Sequence, residues 1–172
     1  MEGTSFGSLP DMLAEIFLQE FDAEMAATRR LLDRVPGEGL DWKPHSKSRS
    51  LGQLATHVTE LARWGSRIEG TTWTLGSDKP PSLGSAKEFV ARFDENVASS
   101  RAAISGKSDD QLREKFTLMR DGKVFLEMPK AAVLRRIFMN HFIHHRGQLT
   151  VYLRLRDIAL PGIYGPTADE AV

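Results

Sequence analysis

The stretch PKAAVLRRIFMNHFIHHRGQLTVYLRLR, residues 129–156, decides how the fold is read. After its opening proline no second proline interrupts it, and Leu134, Ile137, His141, His145, Gln148, Tyr152 and Leu155 recur at spacings of three and four. That alternation is the mark of an amphipathic helix, so one long helix is expected from about Pro129 to Arg156. Three of the five histidines fall inside it, as His141, His144 and His145. On a helix, positions four apart lie about 40° apart in rotation and roughly 6 Å apart along the axis, so His141 and His145 can point at one ion. His144 is turned about 100° from His145 and reads as a rim or interface residue. The pair alone leaves two readings open: metal ligands, or core histidines satisfied by hydrogen bonds.

Working outward, FTLMRDGKVFLEM (116–128) places an Asp-Gly turn between β-prone flanks, the signal for a small hairpin or an extended connection. Ser108 with Gln111 begins a short helical turn, and Ser85 with Glu88 caps a helix carrying Phe89, Phe93, Val97 and Ile104. Ser50 with Gln53 forms a capping box for a helix reaching about Ile68, striped by Leu51, Leu54, Val58 and Leu61. The first helix runs from Asp11 to Val35 through Leu13, Phe17, Phe21, Met25 and Leu32, and stops at Pro36-Gly37. The expected fold class is all-α, a four-helix bundle, as one domain over residues 1–172.

Composition narrows the chemistry. Lys plus Arg and Asp plus Glu both number 23, so no net field draws the chain to nucleic acid or an anionic membrane. There is no cysteine, which excludes disulfides, thiolate metal sites and a cysteine nucleophile and leaves His, Asp and Glu as ligands. MEGTSFGSLPDMLAEIF lacks a basic start followed by an apolar core, and no segment nears the roughly 20 apolar residues of a membrane span. A cytoplasmic protein with no membrane partner is the expectation.

The third ligand candidate is His57 in LGQLATHVTEL, which lies three beyond Leu54 and four before Leu61 on the apolar stripe of the second helix. His57, His141 and His145 together would offer three imidazole nitrogens from two facing helices, with remaining positions open, the catalytic pattern for zinc-like ions. Trp64, seven beyond His57, is a candidate wall of the cavity or a core aromatic; Arg146, next to His145, is a candidate carboxylate clamp or a surface ion pair. Glu60 is a candidate outer partner of His57, with an exposed surface glutamate as the alternative. His45 stands in the preceding loop, where a solvent residue is expected. Gly147 would weaken a helix interior and suggests close helix approach. Residues 1–28 carry six acidic residues (Glu2, Asp11, Glu15, Glu20, Asp22, Glu24) and no basic one, and residues 130–156 six basic residues (Lys130, Arg135, Arg136, Arg146, Arg154, Arg156) and no acidic one, so the first and last helices are complementary, as suits packing between them or solvated faces.

LDWKPHSKSRSLGQLATHV, NHFIHHRGQLTVYLR and LPGIYGPTADE resemble the three signature stretches of the DinB-like family, which is also grouped with YfiT-like metal-dependent hydrolases. The landmarks run from Trp42 to Glu170. The resemblance implies a four-helix bundle with a metal triad at His57, His141 and His145, nickel or zinc as the usual ion, and homodimers in many members. Some branches of the family are thiol-dependent transferases or isomerases. Three functions follow as expectations: a metal-dependent enzyme activating water or a low-molecular-weight thiol for a small-molecule substrate; a non-catalytic metal-binding or stress-response module; and a DNA-damage effector on nucleic acid, which neutral charge argues against.

Overall fold

A computed structural model describes residues 12–170; the expected start of the first helix at Asp11, like Glu2, lies outside them. Helix α1 spans Leu13–Leu32. Its first turn is capped from a distance: Asp109 Oδ1 accepts from the backbone N–H of Met12 and Leu13 at 3.0 and 2.9 Å, placing a carboxylate against the positive end of the helix. Helix α2 spans Leu51–Leu61. Ser50 and Gln53 close the expected capping box there, with Gln53 N–H donating to Ser50 Oγ and Ser50 N–H to Gln53 Oε1. Beyond Leu61 the winding tightens to a 3-10 helix over Ala62–Glu69. Helix α3 spans Ala86–Ile104, with Ser85 as its cap, and α4 is the short turn Asp109–Arg113 behind the Ser108 capping box.

The main core is shared by the long helices and the shorter helical segments between them. Helix α1 packs on α3, and α2 packs on α3 and on the last helix. Phe21, Leu31, Leu54, Leu61, Phe93 and Phe142 fill the space between them with almost no exposure. The expected ion pairing between first and last helices is present as Glu24–Arg146 and Glu20–Arg135, while α1 also binds α3 through Asp22–Arg101 and Arg29–Asp94.

The all-α expectation needs correction. The chain is mostly helical but carries a three-stranded sheet: β1 (Thr72–Thr74), β2 (Lys115–Arg120) and β3 (Lys123–Pro129). The expected hairpin is β2–β3, antiparallel, turning at Asp121 and Gly122, both at positive φ (50° and 74°). Asp-Gly is favoured at such a turn because both residues tolerate that region. The added strand is β1, which runs parallel to β2 with Trp73 opposite Leu118. Its alternation puts Trp73 inward between exposed Thr72 and Thr74. Trp73, Phe116, Leu118, Met128 and Val133 form a second, smaller core beneath the sheet.

The last helical rod is also not uniform. It starts as α5 (Lys130–Ala132), passes through a π-helical segment (Val133–Met139) and continues as α6 (Asn140–Arg154). A π turn takes in one residue more than an α turn, so everything beyond is rotated by about 100° from an unbroken helix. The stripe anticipated in the sequence is displaced accordingly. Leu134, Phe138, Phe142, Leu149 and Leu153 face the main core, whereas Gln148 and Leu155 are exposed.

Gly147 is a further correction. It is exposed, and an added Cβ would meet nothing within 4 Å. The close approach is at Gly65 in the 3-10 segment, where a Cβ would stand 2.8 Å from Ser100 Cβ on α3. Ser100 Oγ seals that contact, donating to Ala62 O and accepting from Ser66 N–H.

Candidate metal centre

Two helices bring the three candidate ligands together. His57 projects from α2 two turns beyond the Ser50 cap, and His141 and His145 project from α6, one turn apart. The ring centroids lie 5.3 Å (His57–His141), 4.5 Å (His57–His145) and 4.7 Å (His141–His145) from one another. One nitrogen from each ring can be chosen so that all lie within 4.8 Å of each other. Among the described residues this is the cluster of His, Asp or Glu with metal-ligating geometry.

The electrostatics of the cluster favour neutral imidazole. Burial pushes the His57 pKa down to about 3, helped by the Arg49 charge and by the other two histidines. His141 falls to about 4, first through burial and then through His145 and Arg49. His145 is also lowered by burial, against the raising effect of its contact with Gln148. Near neutral pH all three therefore keep their lone pairs. His57 Nε2 is buried and has no hydrogen-bond partner among the described residues, a costly arrangement unless a further group satisfies it. His145 Nδ1 lies 2.7 Å from Gln148 Oε1. Against an amide oxygen Nδ1 carries the proton, which leaves the lone pair on Nε2. The donor set thus fits a borderline divalent ion such as zinc or nickel.

The surrounding residues divide. Trp64 walls the cluster, with its ring edge-on to His141 at 5.0 Å and to Trp73 at 4.7 Å. His144 is exposed and touches only the outer side of the cluster, its ring 4.9 Å from His145, as the helical rotation requires. His45 lies in an exposed loop, accepting from Lys47 N–H through Nδ1. Glu60 lines the same open cavity of about 700 Å³ as His57, yet its carboxylate is taken by Arg92 at 2.8 Å, Asn96 at 3.2 Å and Arg63 at 3.7 Å. It makes no hydrogen bond to a histidine among the described residues.

Arg146 is not at the cluster. One residue on from His145, it is turned toward α1 and is about 1 % exposed. Its guanidinium pairs with Glu24 at 2.5 Å and donates to Thr28 Oγ1 at 3.3 Å and to Tyr164 Oη at 2.5 Å. Arg146 is thus neither of the two alternatives, a carboxylate clamp or a surface ion pair, but an internal tie between α6, α1 and the C-terminal segment. Two residues at the cluster escaped the sequence reading. Gln148 had a signal, being three beyond His145 on the same helix; Arg49, in a loop beside a cap residue, had none.

A family model for the DinB family matches residues 11–171. The chain belongs to the DinB family. Among relatives, YrdA of Bacillus subtilis (strain 168), an uncharacterized protein, is 29% identical over 157 residues, covering 90% of this chain and 89% of YrdA. Among solved structures, a DinB-like protein from Bacillus cereus ATCC 10987 superposes with a TM-score of 0.69 at 26% identity, covering 87% of this chain and 97% of that one. A DinB-like protein of Bacillus subtilis, YjoA, gives a TM-score of 0.68 at 19% identity over 86% of this chain and 96% of its own; that likeness speaks for the fold alone. No helix among the described residues of this DinB chain is long and apolar enough to cross a membrane.

Proposed function

We propose that this DinB-family chain is a metal-dependent enzyme of the cytoplasm in which His57, His141 and His145 hold one divalent ion, nickel or zinc. The observation that carries the reading is the convergence of three neutral imidazoles, within 4.8 Å by their ligand atoms, around a buried His57 Nε2 that no group among the described residues satisfies. When bound, the ion supplies Lewis acidity and lowers the pKa of a water or low-molecular-weight thiol, in the manner of a hydrolase or a thiol transferase or isomerase. The chain's own residues do the rest. Gln148 fixes the tautomer and plane of His145. Trp64 and Trp73 shield the His141 side from water, and the cavity beside His57 admits a small molecule. We further read the protein as a homodimer without a nucleic-acid partner, the latter supported by equal numbers of acidic and basic residues.

One observation favours a second reading, a non-catalytic metal-binding or stress-response module. Glu60, the carboxylate nearest in sequence to His57 on α2, is held by Arg92, Asn96 and Arg63 and is poorly placed to move a proton. The deciding experiment has two stages. Titration calorimetry of nickel and zinc into metal-free, tag-free protein should give one site per chain, and no heat from either ion would sink both readings. A screen of bacterial thiols against electrophiles with the loaded protein then separates enzyme from module, since only the enzyme turns substrate over.

A further inference from the structure

Three neutral imidazoles bring no negative charge to a divalent ion, so a centre built from them presents its full double charge to whatever enters. Arg49 adds to that field. It stands immediately before the Ser50 cap, its backbone carbonyl accepting from the Tyr152 hydroxyl of α6 at 3.3 Å. Its charge is felt at His57, His141 and His145 alike. The side chain is exposed, and among the described residues no carboxylate lies within ion-pair distance of its guanidinium. Arg49 and His57 line the same open cavity of about 700 Å³. Two acidic residues share that lining: Glu60, already bound to Arg92 and Arg63, and Asp41, which forms no ion pair with Arg49. Leu40, Pro81 and Leu83 give the cavity an apolar wall.

The geometry points to a small organic acid as the ligand of this cavity: Arg49 holds its carboxylate, Leu40, Pro81 and Leu83 take its apolar body, and its other end lies toward His57. A guanidinium with its fork of N–H donors free is suited to a carboxylate. The wall formed by Leu40, Pro81 and Leu83 offers an apolar surface for the body of such an acid. This inference deepens the reading of the histidines as a metal centre and rests on it for part of the positive field.

The test uses 3-phenylpropionate and its uncharged counterpart, 3-phenylpropionamide, titrated calorimetrically into wild type, Arg49→Gln and Lys87→Gln, each metal-free and nickel-loaded. Lys87 is an exposed cation on α3 that lines none of this cavity. Nickel-loaded wild type should bind the acid about tenfold or more tighter than the amide. Arg49→Gln should lose most of that preference with unchanged melting temperature, and Lys87→Gln should keep it. The metal-free protein should show a smaller preference that still depends on Arg49. Wild type that binds the acid no better than the amide, or an Arg49→Gln variant that keeps the preference, overturns the proposal. If nickel fails to bind, the metal reading falls by itself and the metal-free titrations decide this one: a preference that depends on Arg49 upholds the acid site, and none overturns it.

Discussion

His145 and Arg146 are neighbours on α6, yet their side chains enter polar clusters of opposite kind. Arg146 sits in a closed network in which Glu24, Thr28 and Tyr164 occupy its donors. His145 sits with His57 and His141 in an open one, where a buried nitrogen has no partner among the described residues and burial drives the pKa values down. Both clusters spend desolvation energy, but only the first recovers it within the protein. A closed network holds segments together, whereas an open one has valence left for a ligand. The same helix serves both because one residue's step turns a side chain by about 100°.

The largest effect expected from this contrast is on stability. Arg146→Ala leaves Glu24 buried without its cation, which should cost about 3–5 kcal/mol in urea unfolding. His145→Ala should cost far less in the metal-free protein, and equal losses would break the comparison.

Affinity should show the reverse order. Replacing His57, His141 or His145 with alanine should weaken nickel or zinc binding by on the order of 100-fold, while His144→Ala and His45→Ala should change it several-fold at most. Calorimetric titration of the five variants checks this; retention of the ion by His141→Ala with loss in His144→Ala would reverse the assignment. Acid acts on the same cluster. Unfolded histidines protonate near about 6.5, whereas His141 and His57 in the fold do so only at about 4 and about 3. The unfolded chain therefore binds more protons between these values, and stability of the metal-free protein is lost as pH falls from about 6.5 through the folded pKa values. The urea midpoint should drop between pH 6.5 and 5, less steeply in His57→Phe, and a flat profile would contradict the burial argument.

Gln148→Leu removes the group that orients His145 and should reduce metal affinity about tenfold, the low end for such outer partners. No change would mean that the helix alone orients the ring. The smallest effect separates the two glycines. Gly147→Ala, on open surface, should stabilise by about 0.5–1 kcal/mol in thermal unfolding, whereas Gly65→Ala, pressed against Ser100, should destabilise.

Much of the site was legible because its signals are local. An i, i+4 histidine pair and a histidine on an apolar stripe can be seen within single helices, and so can the Ser50, Ser85 and Ser108 caps and the Asp121-Gly122 turn. The sheet was only half legible. The β2–β3 hairpin follows from its own turn, but Thr72–Thr74 becomes a strand only because β2, more than forty residues later, offers it an edge.

The sequence by itself determined where α2, α3 and α4 begin, that any strong metal ligand must be His, Asp or Glu, and which three histidines could share an ion. Tertiary structure decided the partners. Whether Arg146 faces a ligand or Glu24 depends on α1, 122 residues away in the chain, and whether Gly147 or Gly65 is the close contact depends on where α3 lies. The winding of Val133–Met139 likewise sets the direction of every residue after it. These are outcomes of packing between distant segments, and a periodicity read along one segment contains no information about what will stand opposite it.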